Sequence, residues 1–152
     1  MLLVLIGMAL ANTTVQVGSM SADGLEIRDL DCSLESGGLF ASALVVASLA
    51  EHKDALDACA PQGGAFAASW SWGAGSTSEV SSGVPESGNR CVQKALQATQ
   101  TDLKGQCTAV VLVGEPEGAL AAYQALKGEP AAPEPTETAP AAPPSETGNT
   151  SK

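Results

Sequence analysis

Aromatic residues are scarce in this chain, five in 152: Phe40, Phe66, Trp70, Trp72 and Tyr123. A core must therefore be built from Val, Leu and Ala, whose smaller side chains each remove less area from water. Such a core gains from covalent cross-links. Basic residues are equally sparse, seven Lys plus Arg against 17 Asp plus Glu, for a formal net charge of −10. A chain this acidic repels phosphate backbones and anionic lipid, which argues against nucleic-acid and membrane-surface partners. His52 is the single histidine, so a metal cluster would have to recruit carboxylates, and none is suitably spaced. No C-x-x-C and no G-x-S-x-G is present, which removes the usual redox, zinc and serine-hydrolase signatures. No cofactor is expected.

What is present begins with an apolar run over 1–11 that ends in Ala9-Leu10-Ala11. It reads as the hydrophobic region and small-x-small cleavage site of a signal peptide, making Asn12 the first mature residue. Eleven residues are too few to span a bilayer, so no membrane span is expected after cleavage. The other reading of this run is a buried N-terminal strand. At the far end six prolines fall within 129–152 among Ala, Glu, Thr and Ser. That composition cannot bury a core and predicts a disordered tail. One domain is expected between them, over 12–128. Asn12-Thr13-Thr14 and Asn149-Thr150-Ser151 match the N-glycosylation pattern but fall at the expected flexible ends.

Within 12–128 the hydrophobic periodicity predicts an α+β domain. Val15 and Val17 alternate over 13–20, and Asp23-Gly24 is a hairpin signal. The next strand starts in one phase with Leu25 and Ile27, then continues in the other with Leu30, Cys32 and Leu34. A bulge or break near Asp29 is the simplest cause. From 39 the spacing turns helical, with Val45, Leu49, His52, Leu56 and Cys59 on one stripe. Pro61 and Gly63-Gly64 stop that helix. Over 65–72, Phe66, Ala68, Trp70 and Trp72 point one way and Ala67, Ser69 and Ser71 the other, a half-buried strand. The stretch 76–82 is strand-like but polar, with only Val80 apolar, as expected of an edge. Asn89 is placed to cap a second helix with Val92, Ala95, Leu96 and Thr99 on one face. The run 107–113 is apolar on both faces and predicts a central strand. A last helix over 117–127 ends at Gly128. The expected architecture is an antiparallel sheet of four to five strands with two helices packed on one face, in β-α-β-β-α-β order.

Four cysteines in an exported chain imply disulfides. Three pairings are possible, and strand order selects one. Cys59 ends the first helix and Cys91 opens the second; two antiparallel strands separate them, which returns the chain to the same end of the domain. Cys32 precedes the first helix and Cys107 follows the second, both at the opposite end. The expected bridges are Cys59–Cys91 and Cys32–Cys107.

The helix ending in Cys59, the strand Ala65-Phe-Ala-Ala-Ser-Trp-Ser-Trp72, the Gly turn, the strand ending Glu79-Val-Ser-Ser-Gly83, the helix opening Arg90-Cys-Val-Gln-Lys-Ala-Leu96 and the closing strand after Gly105 cover about half the chain. In this order they resemble the C-terminal-domain superfamily of TonB, particularly the cysteine-bearing variants in gliding-motility and related envelope proteins of myxobacteria. The resemblance implies the fold, an envelope location, and recognition of partner peptides or proteins by adding a strand to an exposed edge. In this chain the Pro-rich piece follows the domain rather than preceding it.

These features predict an exported, periplasmic or secreted, non-enzymatic module of the cell envelope that binds a protein or peptide. The contact surface is expected along the polar edge, at Ser76, Ser78, Val80 and Ser82. Other functions would use other residues. A small envelope enzyme or ligand carrier would depend on His52, set between Leu49 and Leu56, with nearby carboxylates. Asp54 and Asp57 could form an acid/base pair, although a solvated acidic helix face explains them more simply. Ser69, Ser71, Ser76, Ser78, Ser81 and Ser82 lack a nucleophile setting other than one resting on His52. Trp70 and Trp72 fit a core, or a stacking platform if exposed. A purely structural envelope protein would need none of these.

Overall fold

The computed structural model describes residues 13–35, 40–73, 75–99 and 102–128. The expected signal peptide, the Pro-rich tail and both glycosylation asparagines lie outside the described residues. The chain opens with a hairpin, β1 (Thr13–Ala22) and β2 (Leu25–Leu34), paired antiparallel from Thr13↔Leu34 to Ala22↔Leu25. Its two-residue loop has positive φ at both positions, 49° at Asp23 and 79° at Gly24. Asp-Gly tolerates that left-handed pair, and the resulting turn matches the twist of the strands.

The phase change read in the sequence is real. Leu25 and Ile27 enter the core, then Leu30, Cys32 and Leu34 do. Between these sets the register of β2 against its inner neighbour shifts, between Arg28 and Asp31, with Asp29 at φ 53°. A residue in the left-handed region absorbs the extra position of a bulge. The partner strand changes phase with it: Val15 and Val17, then Met20 and Ala22, pack toward the core.

After two helices come β3 (Gly64–Trp72) and β4 (Thr77–Val84), and after a third helix β5 (Gly105–Val113). The sheet has five strands in the order β1-β2-β5-β3-β4, antiparallel at every junction. β5 thus lies at the centre, which explains its apolar side chains on both faces. Cys107, Ala109, Val111 and Val113 join the main core, whereas Val110 and Leu112 join a second, smaller cluster behind the sheet.

The main face is covered by α1 (Ala41–Ala50), α2 (Lys53–Asp57) and α3 (Asn89–Ala98). Phe66, Trp70, Trp72, Val45, Leu49, Leu56, Val92 and Leu96 meet there. The other face receives α4 (Pro116–Lys127), whose Ala119 and Ala122 pack on Ala65, Val110 and Leu112. Gly128, at φ 72°, ends α4 in the left-handed C-cap expected there.

Two local expectations are corrected. The helix expected over 39–59 is not continuous: it breaks at Glu51 and His52, where the His52 N–H bonds three residues back to the Leu49 carbonyl, 3.0 Å. After the break, α2 is held by a contact distant in sequence: Asp57 Oδ1 accepts from the Gly114 N–H at 2.7 Å, in the turn before α4. Asn89 does not cap α3, because the N-cap position falls on Gly88 and no side-chain cap bond forms. A 3₁₀ turn, Glu86–Gly88, leads into the helix instead. It passes so close to the Phe66 ring that a Cβ on Gly88 would lie 2.5 Å from it.

Both disulfides pair as the strand order requires. Cys32 and Cys107 are direct partners across β2 and β5, their Cα atoms 4.1 Å apart, and both are buried. Cys59, just past α2, joins Cys91 in the first turn of α3, with Cα atoms 5.5 Å apart. Two bridges in a small domain are consistent with an exported protein in an oxidising location. Among the described residues no helix is long and apolar enough to cross a membrane.

Candidate functional site

The sheet has two edge strands, and they differ in how far they are protected. β4 pairs only with β3. Of the four residues expected to form a contact surface, Ser76 precedes the strand, is exposed, and donates to the Gly73 carbonyl at 3.0 Å. Ser78 is buried: its hydroxyl donates to the Gln93 carbonyl on α3 at 3.1 Å. In return the Gln93 side-chain amide donates to the Ser78 carbonyl at 3.0 Å. Val80 is half-buried against the main core, and Ser82 is exposed. Between them the register jumps from Ala67↔Ser82 to Ala68↔Val80. Ser81 is left as the extra residue and donates its hydroxyl to the Ala67 carbonyl at 3.2 Å. A helix side chain on the backbone, a bulge and the charge of Glu79 all guard β4 against further pairing.

β1 is the opposite case. Its ten residues, TTVQVGSMSA, carry no charge, and its pairing to β2 runs in one register throughout. Val15, Val17, Met20 and Ala22 face the core side yet remain only half-buried, because no strand lies beyond them among the described residues. The absence of charge over 13–22 is legible in the sequence.

Behind the sheet, α4 covers only one half of the second face. On the other half a shallow depression of about 310 Å³ is lined by Asp31, Ser33, Ser69, Ser71, Gln106 and Thr108. Gln16 donates to Asp31 Oδ2 at 2.9 Å, and the Ser71 and Thr77 hydroxyls share a 3.0 Å hydrogen bond. This is a hydrogen-bonding surface of short side chains with one carboxylate. His52 lies between α1 and α2, which pack on the opposite face of the sheet.

The remaining candidates are placed as follows. Asp54 is exposed, whereas Asp57 is half-buried, paired with Lys53 and bonded to Gly114. These two carboxylates therefore have different environments and different tasks. Trp70 and Trp72 are both buried, in a T-shaped pair with centroids 6.1 Å apart. Among the described residues no group of three or more His, Cys, Asp or Glu is placed to hold a metal ion.

Where α4 meets the β2 bulge, Asp29 and Tyr123 perturb each other electrostatically. Asp29, on the bulge, accepts from the Tyr123 hydroxyl at 2.9 Å and pairs with Lys127 at 2.8 Å. The hydrogen bond from Lys127 holds the Asp29 carboxyl below its ordinary value, outweighing partial burial. Burial, then the neighbouring Asp29, pushes the Tyr123 phenol up. Arg28 and Lys127 both lie 5.8 Å from the centre of the Tyr123 ring.

Comparison with known proteins returns nothing to rank beside this geometry: no protein-family model, curated protein or solved structure matches the chain.

Proposed function

We propose that the protein is an exported, non-enzymatic module that binds an extended segment of a partner protein of the cell envelope along the edge of its sheet. The observation that carries this reading is the contrast between the edges. β4 is guarded by Gln93, Ser81 and Glu79, while β1 offers ten uncharged residues with no guard among the described residues. Natural sheets blunt their edges, so a long neutral edge left unblunted marks a place where pairing is wanted. A strand added there would find main-chain partners and would finish covering Val15, Val17 and Met20. Recognition is assigned to β1 rather than to Ser76, Ser78, Val80 and Ser82 because α3 already occupies the Ser78 backbone. The resemblance to the TonB C-terminal-domain superfamily supports the same mode of recognition.

The test is a selection of random ten-residue segments displayed against the immobilised protein, followed by amide hydrogen exchange of the complex. Protection gained in 13–22 is the expected result. An inward-pointing charge is a natural guard, so Val17→Lys should abolish capture while Ser82→Lys leaves it intact. Protection at 77–84 instead, or capture indifferent to Val17→Lys, would sink the reading.

A further inference from the structure

At the end of the sheet farthest from the β3 entry, where β3 turns into β4, a cleft of about 280 Å³ runs between that turn and the end of α3. Trp70, Trp72, Ser76, Leu96, Gln97 and Thr99 line it. It widens into a depression of about 500 Å³ that shares Trp72, Ser76, Gln97 and Thr99 and adds Asp102 and Lys104 at its outer side. Four of these lining residues are buried, among them the polar-bearing Trp70 at 3% and Thr99 at 6% exposure. Yet Trp70 Nε1 and Thr99 Oγ1 find no hydrogen-bond partner among the described residues. Buried polar atoms are nearly always partnered, and two orphans on one cleft need a common explanation.

From this juxtaposition we infer that the cleft is a binding site for a neutral monosaccharide unit, separate from the strand-pairing edge. Each feature of the ligand follows from a feature of the lining. An indole N–H can only donate, so the ligand must bring an acceptor to Trp70. A threonine hydroxyl can donate or accept, and Ser76 and Gln97 offer the same versatility nearby. A ligand bearing several adjacent hydroxyls matches that set. The inner cleft has no charged side chain, so a carboxylate or ammonium would lose its water without gaining a partner. The net charge of −10 turns anions away in addition. Trp72 and Leu96 are themselves buried and only close the floor of the cleft, so hydroxyl contacts rather than stacking would hold the ligand. The volume lies at the lower limit of small-ligand pockets, room for one ring rather than a chain of them.

The chain's only tryptophans are both at the site, so intrinsic fluorescence reports on it directly. The full chain would be titrated with neutral hexoses, their methyl glycosides and a disaccharide. A saturable spectral change with at least one hexose is expected. Equal binding of the methyl glycoside would indicate the end of a glycan as the natural source, and its exclusion a free sugar. Calorimetry would then compare variants: Trp70→Phe and Thr99→Val should each weaken binding about 5- to 10-fold, the usual worth of one hydrogen bond. Thr99→Ser, which keeps the hydroxyl, should restore it. No saturable change with any sugar would overturn the inference, as would binding that neither Thr99→Val nor Trp70→Phe alters. Far-ultraviolet circular dichroism of Thr99→Val and Thr99→Ser separates loss of a hydroxyl from loss of fold.

Discussion

At the scale of single residues the two aspartates of α2 show how far position decides role. In sequence they form one acidic pair three residues apart, and the solvated-face reading treats them alike. In the fold, Asp57 is the hinge between α2 and the turn at Gly114. Its Oδ1 takes the Gly114 N–H, and its other oxygen takes Lys53. Gly114 itself, at φ 77°, sits where a Cβ would lie 2.0 Å from the Ala60 carbonyl oxygen. No other residue can bring its N–H to that place. Asp57→Ala should therefore cost about 1–2 kcal/mol, the penalty for stranding a partly buried donor. Asp54→Ala, on an exposed side chain, should stay within about 0.5 kcal/mol. Urea denaturation of both variants checks the difference; equal losses would mean that the Gly114 bond contributes nothing.

At the scale of elements, α4 is fixed to the sheet in two ways. Ala119 and Ala122 pack at its start and middle, while its last turns are tied to the bulge through Tyr123 and Lys127 on Asp29. The second tie responds to pH, and the direction can be worked out. Asp29 has a folded value depressed from the ordinary 3.8, so its contribution is present above that pH and fades as acid protonates it. Tyr123 has a folded value raised from 10.0, so the neutral phenol is favoured and its contribution fades as alkali removes the proton. The last turns of α4 should thus be best protected between about pH 4 and pH 10. Hydrogen exchange of amides 123–127, referred to the intrinsic rate at each pH, should show that window in the wild type. Asp29→Asn should flatten its acid limb, and an unchanged acid limb would refute the tie.

Elements also show what was legible in the sequence. The strands, their edge and central positions, the Asp23-Gly24 turn and the bulge near Asp29 all follow from local periodicity and turn chemistry. Where the sequence reading fell short, the deciding contact is distant in sequence. α2, beyond the break at His52, is tied to Gly114, and the turn that takes the place of an Asn89 cap packs against Phe66 at Gly88. The protection of Ser78 needs Gln93 to be packed across β4. Periodicity cannot report contacts of that kind.

At the scale of the whole molecule, the two disulfides close nested loops of 75 and 32 residues by sequence separation. In the chain-entropy account these restrict the unfolded chain by about 4.5 and 3.7 kcal/mol, large beside the stability of a small domain. Their accessibility differs sharply. Cys32 and Cys107 are 0% and 1% exposed, across the pairing of β2 with β5, whereas Cys91 is exposed and Cys59 half-buried. A reductant can reach Cys59–Cys91 in the native state, but it can reach Cys32–Cys107 only when the sheet opens. Mild reduction without denaturant, quenched by alkylation and read by peptide mass mapping, should label 59 and 91 first. Labelling of 32 and 107 should wait for urea concentrations that unfold the domain. Simultaneous labelling of all four would mean that removing the outer bridge between α2 and α3 already unfolds the core. The smaller loop, rather than the sheet packing, would then be what keeps this aromatic-poor domain folded.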